Sequence, residues 1–130
     1  MQNKPSIMAE TLSLMKLHLR YRLWIAEMNE DITVLRIFDD YLTELTAKKN
    51  NAATRTFISD SRDQFADYRK EIDELKHDLH LHKMKLAAQV REEAVNEDDV
   101  TPDKEHIVLQ NKYAAFREKF DKAKKVFVDF

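Results

Sequence analysis

The sequence predicts an all-α protein, an antiparallel bundle of three long helices with coiled-coil-like seams, and three observations carry that prediction. Apolar residues recur at alternating spacings of three and four, which sets them on one stripe of a helix and, when sustained, on a supercoil seam. None of the 130 residues is glycine, and only Pro5 and Pro102 interrupt the backbone. Turns that need a positive φ therefore lack their usual host, and glycine-rich phosphate loops are excluded. Charged residues make up 35% of the chain and apolar ones 43%. That balance suits helices with one buried stripe and a charged outer face, and the length suits a single domain spanning residues 1–130.

The first helix is expected to open at Pro5 and Ser6. Its seam reads Ile7, Thr11, Leu14, His18, Tyr21, Ile25, Met28, Ile32, Leu35, Asp39 and Leu42, with eight of the eleven positions apolar. Asn29, Glu30 and Asp31 could end a short helix and cap another, which would give a four-helix up-down bundle instead. The seam runs through this triplet in unbroken phase, and a loop would have no reason to preserve it. One long helix is therefore the preferred reading. Lys48, Lys49, Asn50 and Asn51 read as a basic helix end running into a turn, with asparagine standing in for the missing glycine.

The second helix carries Ile58, Ser61, Phe65, Tyr68, Ile72, Leu75, Leu79, His82 and Leu86 at the same spacing. A short acidic connection, Asn96 to Asp99, follows it. Thr101, Pro102 and Asp103 form a helix start, because the hydroxyl can cap, proline fits the first helical position and an acid suits the positive helix end. The third seam is His106, Leu109, Tyr113, Phe116, Phe120, Ala123, Phe127 and Phe130. Trp24, Leu17 and Met28 widen the apolar face of the first helix enough for contact with both neighbours.

A hairpin centred on Asn50 pairs residues whose position numbers total 100, so that Leu35 meets Phe65, Asp39 meets Ser61 and His18 meets His82. The third helix is too short to reach back to the hairpin tip. About 16 residues of each helix, roughly 24 Å, would then leave Leu35, Phe38, Leu42, Leu45, Phe57, Ile58 and Phe65 bare on one side. At about 1.5 to 3 kcal/mol per large apolar side chain, half-covering four of them forfeits several kcal/mol, comparable with a whole domain's net stability. These seven residues are accordingly the expected partner-binding surface, covered by a second copy or by another protein.

Several function classes are excluded or weakened. The absence of cysteine removes disulfides, thiolate metal sites and thiol nucleophiles together. Lys4, Glu10, Lys16, Arg20 and Arg22 break the early apolar residues, so no uncharged stretch of signal-peptide or membrane-span length exists, and a cytoplasmic location is expected. The 22 basic and 24 acidic residues are intermixed, with a net charge of −2, which gives no drive toward nucleic acid.

Histidines supply the candidate chemistry. His77 and His80 lie near Asp73 on one helix face, where the simplest reading is a solvated polar surface. Glu74 with His77 forms half of a carboxylate-bridged di-iron pattern, and no inward-facing second half accompanies it. His18 and His82 occupy seam positions at one level, so a facing pair could bind a metal or cofactor, or could form a hydrogen-bonded polar layer that sets register. The third helix combines an aromatic stripe with flanking lysines, readable as bundle core with a charged rim or as a surface-binding amphipathic helix. No nucleophile, base and orienting group converge. The sequence thus points to a non-enzymatic interaction or scaffold protein without a cofactor, forming a homo-oligomer or binding a protein partner. A metal- or cofactor-binding bundle centred on His18 and His82 is the alternative.

Overall fold

Residues 13–92 and 103–130 are described by the computed structural model of the chain. Ser13 starts the first helix: its Oγ accepts the Lys16 N–H at 3.0 Å and its carbonyl accepts the Leu17 N–H at 3.0 Å. These bonds satisfy two of the donors that a helix start leaves open. The helix, α1, is Leu14–Lys48, and the expected opening at Pro5 and Ser6 falls outside the described residues. α1 runs through Asn29, Glu30 and Asp31 without a break. Asp31 is buried, so the triplet turns one acid inward instead of ending a helix. The four-helix alternative is set aside.

The reversal falls where the asparagine pair put it. The Lys49 N–H reaches back to the Leu45 carbonyl at 2.9 Å, and α2, Ala52–Glu92, begins three residues later. Asn51 caps it, its Oδ1 accepting the Thr54 N–H at 2.8 Å and its carbonyl the Arg55 N–H at 3.0 Å. The Arg55 Nη1 donates to both the Asn50 carbonyl, at 3.1 Å, and the Asn50 Oδ1, at 3.0 Å. The turn is thus closed by side chains that need no glycine. Replacing Asn51 with alanine is expected to cost about 1 kcal/mol and Asn51→Ser little, read as a fall in the thermal midpoint for the first variant only.

The third helix, α3, is Lys104–Asp129, with Asp103 as its N-cap in an extended conformation and its side chain on the His106 N–H. This corrects the expected start: Asp103 itself is the cap, and Thr101 and Pro102 lie outside the described residues. A carboxylate at the cap accepts an orphan N–H and also meets the positive helix end. The described residues form three helices and no strand, an all-α three-helix bundle.

Packing divides the described residues into two compact units, 25–74 in one and 13–24, 75–92 and 103–130 in the other. The first is a hairpin of α1 and α2 segments that buries Met28, Leu35 and Leu42 from one helix and Ile58, Ser61, Phe65, Tyr68 and Ile72 from the other. Phe38 and Phe65 meet at 5.7 Å between ring centroids. Arg62 spans the outer side, 3.4 Å from Asp39 and 3.2 Å from the Thr43 hydroxyl.

These pairs correct the expected register slightly. Asp39 faces Arg62 and Phe38 faces Phe65, one and three residues beyond the symmetric pairing about Asn50. The reason is the tilt of every helical side chain toward its own N-terminus, so that a side chain covers a spot about one residue N-terminal to its Cα. Along antiparallel helices the two tilts add, and facing residues shift by about two.

The bare-tip expectation is corrected as well. Leu35, Leu42, Ile58 and Phe65 are buried, and Phe38, Leu45 and Phe57 are half-buried. Seam residues of two interlocking helices cover one another without a third layer. Exposed apolar surface in this unit lies instead at Ile37 and Tyr41.

The second unit buries Leu17 and Tyr21 from α1, Leu75, Leu79, His82 and Leu86 from α2, and His106, Leu109, Tyr113, Phe116, Phe120 and Phe127 from α3. The α3 seam is therefore as expected except at Ala123, which is half-buried, and at its end, where Phe130 is the C-cap and stays exposed. The basic residues beside this stripe form its rim: the Arg117 guanidinium lies over Tyr113 and Phe116, and the Lys124 ammonium lies over Phe120.

Candidate functional site

The polar groups of the core gather at the start of α3. His82 is fully buried on α2, with Nε2 3.0 Å from Asp103 Oδ1 and Nδ1 3.1 Å from Glu105 Oε2. The Nδ1 contact has the distance of an ion pair without the alignment of a hydrogen bond. Glu105 also takes the Lys85 ammonium at 3.0 Å. Asp103 Oδ1 accepts the His106 backbone N–H at 2.8 Å, so a single carboxylate oxygen caps α3 and fastens it to α2.

His106 follows the cap by three residues and points inward, where its Nδ1 lies 2.7 Å from the Tyr21 hydroxyl of α1. Burial is the largest of the causes holding its imidazole below the ordinary histidine range. The nearby His82 and Arg20 act in the same direction, while Asp103 and a hydrogen bond to the Gln110 side chain oppose them. The ring is accordingly neutral near pH 7, with Nδ1 accepting the Tyr21 O–H and the other nitrogen donating to Gln110. Burial raises the Tyr21 phenol far above its usual range, with Asp103 and Glu105 adding to the effect. That hydroxyl stays a donor. Around the pair, Trp24 stacks on His106 at 6.3 Å and on Tyr113 at 5.1 Å, and Tyr21 lies 5.6 Å from His106 and 6.5 Å from His82.

The expected His18–His82 pair is not formed. His82 meets Tyr21 because of the same tilt-shifted register, whereas His18 faces Lys83, which together with the larger effect of burial lowers its pKa. The His18 Nε2 is buried without a hydrogen-bond partner. His106, expected about nine residues from that level, is instead beside His82. Asp103 explains the difference: bonding His82, it sets the start of α3 ten residues back from the Glu92 end of α2, about 15 Å at 1.5 Å per residue. Sequence reasoning set Asp103 at the helix start and His106 on the seam but missed that these are the cap and the third helical position.

The cluster does not have the form of a metal centre. The two carboxylates sit on opposite ring nitrogens of His82, whereas an ion requires its ligand atoms to converge on one point about 2.0 to 2.2 Å away. No group of three or more His, Asp or Glu able to hold a metal ion occurs among the described residues. His77, His80, Asp73 and Glu74 are all exposed, and Asp73 is engaged by Arg69 at 3.3 Å. No described helix is long and apolar enough to cross a membrane.

One other surface stands out. On the side of α1 away from the buried Leu17 and Tyr21, Met15, Leu19 and Leu23 are 77%, 45% and 59% exposed. Their spacing of four places them on one stripe. Comparison of the chain with protein-family models, curated proteins and solved structures finds no match.

Proposed function

We propose that the chain is a non-enzymatic interaction module that pairs with a second copy of itself through the outer side of α1. The observation carrying this reading is the exposed Met15, Leu19 and Leu23 stripe, which makes α1 apolar on two opposite sides. A helix that fills a single core needs one such side; a second one is the mark of a partner. Charge selects the occupant. Along α1 the exposed bases Lys16 and Arg22 come first and the exposed acids Glu27 and Glu30 follow. Antiparallel pairing with an identical helix about a two-fold axis near Leu23 sets Lys16 of each copy against Glu30 of the other and keeps Leu19 and Leu23 at the centre, whereas parallel pairing sets like against like. Such a contact is self-complementary about a two-fold axis, the geometry of the commonest oligomers.

Light scattering across a concentration series tests the reading. The chain mass is 15.4 kDa, and the wild type is expected to reach twice that value. The double variant Leu19→Glu, Leu23→Glu is expected to stay at the single-chain mass with an unchanged helical circular dichroism signal, because both side chains already face solvent. A wild type that stays at the single-chain mass throughout removes the proposal.

A further inference from the structure

We infer that Tyr21, His82, Asp103, Glu105 and His106 form an acid-released latch holding the start of α3 on α1 and α2. This goes beyond self-association and rests on different residues. Three features make the cluster a latch instead of ordinary core. First, its bonds all converge on the first turn of α3: Asp103 to His82, Glu105 to His82 and Lys85, and His106 to Tyr21. Second, the two fully buried imidazoles have unlike surroundings, His82 between carboxylates and His106 against a phenol hydroxyl. Third, Asp103 is shared, so whatever displaces the α3 turn breaks the cap and the cross-helix bond together.

Acid acts at His106. The groups facing it are Arg20 and Tyr21 from α1, His82 from α2, and Asp103 and Gln110 from α3. A proton on Nδ1 would take away the acceptor that the Tyr21 O–H uses, leaving that buried hydroxyl to turn its hydrogen elsewhere, and would set a charge beside Arg20 and His82. Release moves the ring into water, where it holds the proton at its ordinary pKa of about 6.5. Since the docked pKa is lowered, the docked state binds fewer protons. The contribution of His106 to the latch is at full strength above about pH 6.5 and is lost as pH falls through the docked value, by no more than about tenfold per pH unit for one proton.

Amide hydrogen exchange of the full chain tests this, with protection factors corrected for intrinsic exchange between pH 7.5 and 5.0. Protection of the first turns of α3 is expected to fall with decreasing pH, the slope approaching about tenfold per unit. The variant His106→Asn keeps an acceptor for Tyr21 that cannot be charged, and its α3 protection is expected to stay flat. If that variant does not fold, the wild-type His106 ring titration followed by NMR must share its midpoint with the loss of α3 protection. Flat wild-type protection, an equal fall in the folded His106→Asn variant, or separate midpoints would each overturn the inference.

Discussion

Phe116→Ala lowers the unfolding free energy by about 3 to 5 kcal/mol, the range for truncating a buried aromatic side chain. Phe116 is completely buried, stacks on Phe120 at 5.4 Å and supports the Arg117 guanidinium 5.8 Å from its ring centre. Truncation removes the stacking partner, leaves a cavity and strips the arginine of its platform, and the first two losses make up most of the effect. Set against a domain stability of about 5 to 15 kcal/mol, the change moves a large part of the denaturation curve. Urea titration followed by circular dichroism measures it as a lower midpoint with little change in slope. Val126→Ala is the control: Val126 lies on the same helix but is 71% exposed, and its expected effect is within about 0.5 kcal/mol. Equal costs for the two variants would mean that the aromatic stripe of α3 is not its buried side.

The seams that identify this stripe were legible because they depend only on the helical repeat. Spacings of three and four keep one side of a helix in register with itself, so Tyr113, Phe116 and Phe120 declare their burial without any knowledge of neighbours. The same holds for the unbroken run through Asn29 to Asp31, and for the turn at Asn50 and Asn51, whose chemistry is local. What the spacing does not contain is the relative height of the helices. Facing pairs depend on side-chain tilt, which moved His82 from His18 to Tyr21. The start of α3 depends on a bond between residues 21 positions apart, which no local rule reaches.

The candidate site lay in that second class. Most of its members were visible alone, Asp103 at the helix start and Tyr21, His82 and His106 as seam residues, whereas Glu105 lies off the seam and carried no signal of its own. Their meeting required the height of α3. The hairpin tip failed for a related reason: seam spacing says which residues face a partner helix, but not that one partner suffices to cover them. Apolar surface that remains open, such as Leu19 and Leu23, lies off the seam, where periodicity gives the least guidance.

Asp103→Ala is expected to cost about 2 to 4 kcal/mol, more than any ordinary cap. Losing an N-cap carboxylate costs about 1 kcal/mol. The remainder arises at His82, whose Nε2 would lose its bond within a fully buried ring, a penalty of about 1 to 3 kcal/mol for an unsatisfied buried group. Asp103 is itself 38% exposed on its side chain, so water entering the vacated space holds the sum toward the lower end. Asp103→Asn separates the two contributions: an amide oxygen still caps the His106 N–H, but it offers His82 a weaker partner without charge. It should cost less than alanine. A double-mutant cycle with His82→Leu completes the test, since leucine needs no hydrogen bond and makes the later loss of Asp103 cost only the cap. The two sites should couple by about 1 kcal/mol or more, as contacting residues do. Strict additivity would show that the cap and the cross-helix bond act independently, and that Asp103 does no more for α3 than begin it.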